Sequence, residues 1–207
     1  MISVSAVGSL QERYRPGDFV ICDQIIDRSR SRANSYFGEG IVGHVAFAEP
    51  YCEGMRRSIL ETLEGRDLTV HPKGTLICME GPLFSTRAES FLYRQWKADL
   101  IGMTALPEAK LAREAEMCLA IVAMVTDYDC WKGAEESVTI EMVLEVMADN
   151  TRHIQEVLPG ILGALASRGD CACRHAAEQA IMTDPALIPY EVRRKLALFY
   201  GKYWKGK

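Results

Sequence analysis

The stretch that decides the fold is LAIVAMVTDYDCW, residues 119–131. It begins with a continuous apolar run, several members of which are β-branched, and changes to clustered polar residues at Thr126. A run of this kind is typical of a strand buried on both faces. In an open α/β sheet, ligands bind beyond the carboxyl ends of such strands. The sequence therefore predicts a buried strand over residues 119–126 that delivers Asp127 and Asp129 to a binding site.

Asp127 and Asp129, called the acid pair below, lie two residues apart on this extended exit. Side chains at that spacing point to the same side of a strand. Two carboxyl groups held close together and partly away from water do not both ionise readily, so one keeps its proton near neutral pH. An acid beside a carboxylate donates one hydrogen bond and accepts another, which matches the adenine edge at N7 and the 6-amino group. The alternative is an Asx-type turn, but a functional role is favoured after so apolar a run.

Composition and charge narrow the class of protein. The 207 residues are 48% hydrophobic and carry a net charge of -4, which suits one soluble domain and argues against a nucleic-acid partner. No apolar stretch approaches the roughly 20 residues that cross a bilayer, so no membrane partner is expected. The N-terminus lacks a signal-peptide pattern, and most of the seven cysteines stand singly in apolar runs. A cytoplasmic protein with reduced thiols is the expectation.

Cys171 and Cys173 are the exception, because they form a Cys-x-Cys pair with His175 close behind. The pair is compatible with a redox couple, with half of a metal site, or with two unrelated thiols. Zinc normally needs four ligands, and the sequence offers no second cluster to supply the other two. Two thiols without a shared role are therefore favoured, and no metal site is predicted.

Strand and helix patterns alternate along the chain. Strands are predicted at residues 2–6, 19–26, 75–79, 100–103 and 119–126, and helices at 50–64, 86–96, 107–118, 139–167, 173–182 and 189–203. Thr86 has capping-box spacing to Glu89, and Pro159 is expected to kink or break its helix. Residues 28–43 are predicted to form a long loop. The pattern indicates an α/β fold: a layered, mixed, mostly parallel sheet flanked by helices, with a helical C-terminal third.

Four segments fall at the ends of predicted strands, namely residues 5–9, 80–86, 102–104 and 126–129. Their convergence would form one pocket. Each has a purely structural alternative. Phe84 is either core or a stacking face for a heterocycle, Met103 is either core filler or a ligand contact, and Thr104 is either a helix-start hydroxyl or a phosphate contact. The backbone at Ala6 either ends a strand or forms part of an anion-binding nest.

Several segments together resemble a known family. They are ICDQIIDR (21–28), GHVAFAEPYC (43–52), EGPLFSTRAES (80–90), IGMTALPEAKLAREAEMC (101–118) and AMVTDYDCW (123–131). They are similar to the 5'-methylthioadenosine phosphorylases of the trimeric purine nucleoside phosphorylase family, and the likeness is dense from Val4 to about Leu144. The resemblance implies a nucleoside phosphorylase fold and a homotrimer. It also implies phosphorolysis of 5'-methylthioadenosine to adenine and 5-methylthioribose 1-phosphate, with phosphate as co-substrate and no cofactor.

The resemblance also assigns roles to individual residues. Phe84 would stack on the purine, Met103 would pack against the ribose, and Thr104 and the Ala6 backbone would contact phosphate. Asp127 would hydrogen-bond N7, and Asp129 would sit by the 6-amino group. Ile140 and Val143 would line the 5'-alkylthio pocket, and His44 would reach into the neighbouring subunit's site. Ser85 and Asp127 fit a 6-aminopurine, since relatives that act on 6-oxopurines carry Glu and Asn at these positions.

Family members also carry an N-terminal Gly-rich phosphate loop followed by an Arg-His pair. This sequence shows no such loop, and its Arg-His pairs, Arg152-His153 and Arg174-His175, lie in the helical C-terminal third. A single nucleoside phosphorylase domain over residues 1–207, N-terminally incomplete, is therefore expected. The alternative functions are a broader purine nucleoside phosphorylase, a hydrolase that uses water, and a truncated, non-catalytic nucleoside-binding subunit.

Overall fold

The computed structural model describes residues 1–132, 140–166 and 169–204. Within these residues, seven strands make one sheet: β1 Ile2–Ser9, β2 Phe19–Ile21, β3 Gln24–Arg28, β4 Val70–His71, β5 Thr75–Met79, β6 Leu100–Gly102 and β7 Ala120–Tyr128. The helices are α1 Glu53–Leu63, α2 Arg87–Gln95, α3 Glu108–Glu114, α4 Ile140–Ala166 and α5 Tyr190–Trp204, with short 3₁₀ turns at Ala172–His175 and Pro185–Leu187.

The sheet is mixed and mostly parallel, as the sequence predicts. Its strand order is β3-β5-β6-β1-β7-β2-β4. The β1–β6 and β2–β7 pairs are antiparallel, and the other neighbours are parallel. The predicted buried strand is β7, which lies between β1 and β2 and is buried from Ala120 through Thr126.

Alternate residues of β7 enter two different hydrophobic layers. Ile121, Ala123 and Val125 face one layer, which α3 completes. Val122 and its neighbours on the opposite face pack against apolar residues of α1 and α4: Met55, Ile59, Leu63, Ile154, Val157 and Ile161. Full burial of each such aliphatic side chain contributes about 1.5–3 kcal/mol, so β7 is anchored from both sides. A rigid strand is the result, and it ends at the acid pair.

One predicted strand is wrong, because residues 19–26 form two strands in different parts of the sheet. β2 pairs with β7 and β4, whereas β3 pairs with β5 at the far edge. The chain changes partner at Asp23, whose carboxylate accepts a hydrogen bond from Gly74 N at 2.9 Å and whose own N–H donates to Gly74 O at 3.3 Å. An apolar run carries no information about which neighbour each half selects.

The predicted helix at 173–182 is also wrong, since only Ala172–His175 adopt a short 3₁₀ turn. Backbone groups near the end of this segment are bonded to the loop at 42–44. Ala180 O accepts from His44 N, and Met182 N donates to Val42 O, each at 2.9 Å. Tertiary pairing therefore overrides a helical periodicity here.

The remaining boundaries differ less. The capping box at Thr86 and Glu89 is present and begins α2. α3 ends four residues earlier than predicted, because Glu116 adopts a φ of 58° and Met117 N bonds back to Ala112 O at 2.8 Å, which closes the helix end. α4 continues through Pro159, so the predicted break does not occur. In the described part of the chain, no helix is both long enough and apolar enough to cross a bilayer.

Candidate active site

A cavity of about 280 Å³, called the strand-end cavity below, opens where β1, β6 and β7 meet the start of α4. The four segments predicted to converge all contribute to it. Its lining is Ala6, Val7, Gly8, Met79, Phe84, Ile101, Gly102, Met103, Thr104, Thr126, Asp127, Asp129, Val143 and Met147. The lining is mainly apolar with a few polar groups, which is typical of a small-molecule site.

A β-bulge places the acid pair in the cavity. Val7 pairs with Val125, but the next pair is Gly8 with Asp127, so Thr126 is an extra residue in β7. Its hydroxyl lies 3.2 Å from Val7 O and 2.6 Å from Asp127 Oδ1. Bulges re-aim side chains next to active sites. Here the bulge holds Oδ1 of Asp127 against Thr126 and leaves Oδ2 on the side of Gly8.

Gly8 of β1 lies directly beneath the acid pair. A Cβ atom added at Gly8 would lie 3.4 Å from Asp127 Oδ2 and 3.7 Å from Asp129 Cβ. It would also lie 3.2 Å from Ile101 Cγ2, closer than an ordinary van der Waals contact. Both acids therefore sit directly over the β1 backbone, and the close approach of Ile101 favours glycine at this position.

Both acids favour the protonated form more than an exposed carboxyl does. Burial raises the pKa of Asp127 above its ordinary 3.8; the Thr126 hydrogen bond opposes this and the Asp129 charge adds to it. Burial also raises the pKa of Asp129, against the opposing effect of the nearby Ser90 hydroxyl. Neither Asp129 Oδ2 nor Ser90 Oγ makes a hydrogen bond of normal geometry with the described residues, although both are buried. Within the described part of the chain, Asp129 Oδ2 is thus a buried acceptor with no donor at normal hydrogen-bond geometry.

The rim of the cavity carries an exposed aromatic ring. Phe84 is 84% exposed, so the core alternative for this residue is wrong. It follows Gly81, which has a φ of 71°, and precedes the capping box that fixes the start of α2 at Thr86. Its ring lines the cavity while staying largely exposed, so it presents a flat apolar face there.

Hydroxyl groups lie at another part of the wall. Thr104 follows β6 and its Oγ1 is hydrogen-bonded to Ser5 Oγ of β1. Thr104 is exposed, whereas Ser5 is 7% exposed. With the Ala6 backbone beside them, these groups give the cavity a polar corner separate from the acid pair.

The structure brings most of the predicted site residues together and places His44 apart from them. Those that line the cavity are Ala6, Phe84, Met103, Thr104, Asp127, Asp129 and Val143. His44 does not line it; this residue is exposed, and its backbone N–H bonds Ala180 O. Ile140 is the first residue of α4, and its side chain lies outside the described residues.

Several lining residues were not assigned individually from the sequence. Met147 lies one helical turn beyond Val143, so helical spacing was a signal that could have identified it. Met79 and Ile101 sit at strand positions that look like ordinary core. Gly8 and Thr126 owe their roles to the bulge, which periodicity does not reveal.

The fold and the cavity define a class of protein. A family model described as the phosphorylase superfamily matches residues 1–163. The chain belongs to this superfamily.

Within this superfamily, the individual proteins that the chain resembles include methylthioadenosine phosphorylases. The chain is 46% identical over 204 residues to the S-methyl-5'-thioadenosine phosphorylase of Koribacter versatilis, covering 99% of this chain and 70% of that protein. Among solved structures, a methylthioadenosine phosphorylase from an antarctic soil metagenomic library superposes with a TM-score of 0.90 at 41% identity, covering 96% of this chain and 70% of the other. A methylthioadenosine phosphorylase from Schistosoma mansoni in complex with adenine gives a TM-score of 0.82 at 32% identity, covering 87% and 72%.

Proposed function

We propose that the protein catalyses phosphorolysis of 5'-methylthioadenosine, with inorganic phosphate as co-substrate and no cofactor. The products are adenine and 5-methylthioribose 1-phosphate. The observation that carries the proposal is the acid pair, two half-buried carboxyls with raised pKa values in a mainly apolar cavity. The names of the similar proteins support the same reaction.

The leaving group is the chemical problem that the acid pair addresses. Cleavage of the bond between the ribose anomeric carbon and the purine leaves the bonding electrons on adenine. Protonated Asp127 donates its proton to N7, so the base departs neutral. Burial favours this protonated form. Asp129 Oδ2, which lacks a donor among the described residues, accepts a hydrogen bond from the 6-amino group.

The apolar walls position the rest of the nucleoside. Phe84 stacks on the purine, and Met103 packs against the ribose. Val143, with Ile140 before it on α4, receives the 5'-methylthio group. A thioether is only weakly hydrated, so its transfer from water to an apolar surface is favourable. Ser85, with no carboxylate, leaves the 6-position suited to an amino group.

Phosphate occupies the polar corner. Thr104 Oγ1 and the Ala6 backbone N–H donate hydrogen bonds to it, and one of its oxygens forms the new bond to the anomeric carbon on the face opposite the departing base. Its negative charge also stabilises the cationic sugar of the transition state.

The proposal includes a homotrimer, in which His44 reaches the cavity of the neighbouring subunit. Its exposure in the single chain leaves it accessible for such a contact. A cytoplasmic location and a part in purine and methionine salvage complete the proposal. None of the seven cysteines forms a disulfide, which is typical of a reducing compartment.

The deciding experiment measures adenine release from 5'-methylthioadenosine with and without phosphate. We expect release to require phosphate and to yield 5-methylthioribose 1-phosphate in equal amount. Release without phosphate would show a hydrolase instead. Turnover of adenosine or inosine that matches turnover of 5'-methylthioadenosine would favour a broader purine nucleoside phosphorylase. Binding of adenine nucleosides without turnover would indicate a non-catalytic subunit.

A further inference from the structure

Four cysteines from three separate parts of the chain come together away from the strand-end cavity. Their sulfur atoms all lie within 4.8 Å of one another. This cysteine cluster consists of Cys52, Cys118, Cys171 and Cys173. Cys52 caps α1, Cys118 precedes β7, and Cys171 and Cys173 lie at the 3₁₀ turn after α4. The second pair of ligands that sequence spacing does not supply is therefore present in three dimensions.

The spacing of the sulfurs suits one mononuclear metal ion. Zinc–thiolate bonds are about 2.3 Å long, so the sulfurs of a regular tetrahedral site are about 3.8 Å apart. In the cluster, Cys118 Sγ and Cys171 Sγ are 3.1 Å apart and no pair exceeds 4.8 Å. These distances bracket the tetrahedral value. We propose that the cysteine cluster is a structural site for a thiophilic divalent metal ion of the zinc class, bound by all four sulfurs.

Groups around the cluster support thiolate ligands. Four thiolates around a divalent ion leave a net negative charge, and Arg113 Nη1 lies 3.5 Å from Cys173 Sγ, where it offsets that charge. The other end of the same guanidinium is fixed by a hydrogen bond to Glu49 O. His175, the alternative ligand near the pair, is held 3.0 Å from Asp170 instead. The ligand set is therefore all sulfur.

The cluster is partly shielded but not sealed. Cys52 and Cys173 are 3% and 7% exposed, whereas Cys118 and Cys171 are half-buried. Cys118 also lines a surface cavity of about 520 Å³, which provides an entry path for the ion. With four protein ligands no position stays open for a substrate, so the role is structural.

Metal binding would tie the C-terminal third to the sheet. The ligands connect the start of α1, the start of β7 and the segment after α4, and Cys52 N already bonds Leu119 O at 2.7 Å. The unfolded chain holds no preformed site, so binding energy becomes folding stability. We expect Tm to rise with the free metal concentration.

The test uses the full chain purified under reducing, anaerobic conditions. Elemental analysis should find one zinc per chain, and X-ray absorption at the zinc edge should find four sulfur neighbours at about 2.3 Å. Replacing zinc by cobalt should give thiolate-to-metal charge-transfer bands. Cys171→Ser should weaken cobalt binding by at least tenfold, whereas Cys130→Ser, a half-buried cysteine outside the cluster, should leave it unchanged.

The number of sulfur neighbours is measured by X-ray absorption on the wild-type protein. The test therefore stays valid even where Cys171→Ser folds poorly. Folded, reduced protein that binds neither zinc nor cobalt would overturn the proposal. So would fewer than three sulfur neighbours, or equal cobalt binding by both variants. Mass spectrometry of alkylated protein that finds the four thiols paired as disulfides in the freshly purified chain would also overturn it.

Discussion

Replacing Asp127 by Asn separates proton donation from hydrogen bonding. The side chains have nearly the same shape, so Thr126 can still donate to the amide oxygen across the 2.6 Å contact, which leaves the NH₂ group toward Gly8. Such an amide can donate a hydrogen bond to N7, but it cannot release a proton. We therefore expect KM for 5'-methylthioadenosine to change little and kcat to fall.

The size of the loss follows from the function removed, which is proton transfer to the leaving base. A positioned general acid typically contributes about 10²- to 10⁴-fold to the rate. Phosphorolysis by Asp127→Asn should therefore be roughly 100- to 10,000-fold slower. The assay is steady-state adenine release at saturating phosphate. Asp67→Asn, which changes an exposed carboxylate outside the cavity, should retain wild-type kcat.

The same substitution should not weaken the fold. Burial raises the pKa of Asp127 above 3.8, so the folded chain holds this proton more tightly than the unfolded chain does. The resulting stabilisation is full below the unfolded pKa and is lost as the pH rises through the folded pKa. In denaturant titrations, Asp127→Asn should therefore gain stability relative to wild type as the pH rises from about 4 to 7.

Two results would refute this reasoning. Near-normal kcat in a folded Asp127→Asn enzyme would show that the proton at this position does not limit departure of the base. A loss of stability that grows toward neutral pH would show that the carboxylate is stabilising in the fold, which contradicts the direction of its pKa shift.

Three further changes test other parts of the site. Gly8→Ala would place a Cβ beneath the acid pair and 3.2 Å from Ile101 Cγ2, closer than an ordinary van der Waals contact. Crowding of this kind costs about 1–3 kcal/mol, so kcat/KM should fall by about 5- to 150-fold, whereas Gly163→Ala, with open space around it, should have wild-type kinetics. Phe84→Ala should raise KM about 2- to 13-fold by loss of stacking worth about 0.5–1.5 kcal/mol, with little change in Tm; Leu83→Ala, 82% exposed and outside the cavity lining, should leave KM unchanged, and equal KM effects would exclude the stacking role. Thr86→Ala removes the capping box and should lower the free energy of unfolding by about 1 kcal/mol in a urea titration; an unchanged midpoint would show that α2 does not depend on this cap.

Local chemistry explains why much of the fold was predictable. The continuous apolar run before Thr126 can be satisfied only by burial on both faces, and β7 has that burial. The predicted strand at 75–79 coincides with β5, and the predicted cap at Thr86 is present because it involves groups three residues apart. Structure that depends on interactions between residues close together in the sequence can be predicted from the sequence alone.

Partner choice between distant segments was not predictable in the same way. The break at Asp23 depends on Gly74, and the irregular path of residues 173–182 depends on hydrogen bonds to the loop at 42–44. The apolar and helical patterns of these segments fit either outcome. Only the competing contacts in the folded chain select one.

The candidate site also has features that the sequence predicts and features that depend on tertiary contacts. The sequence alone determined that two acids follow a buried strand at a spacing that places them on one side, and that an aromatic residue and a threonine follow neighbouring strands. Tertiary structure decided that a bulge at Thr126 sets both acids over Gly8, and that four cysteines from distant segments share one small volume. The difference lies in the sequence separation of the interacting residues. Side-chain direction follows from the local backbone period. Burial, desolvation and sulfur–sulfur proximity depend on residues that are distant in sequence and approach one another only when the sheet has formed.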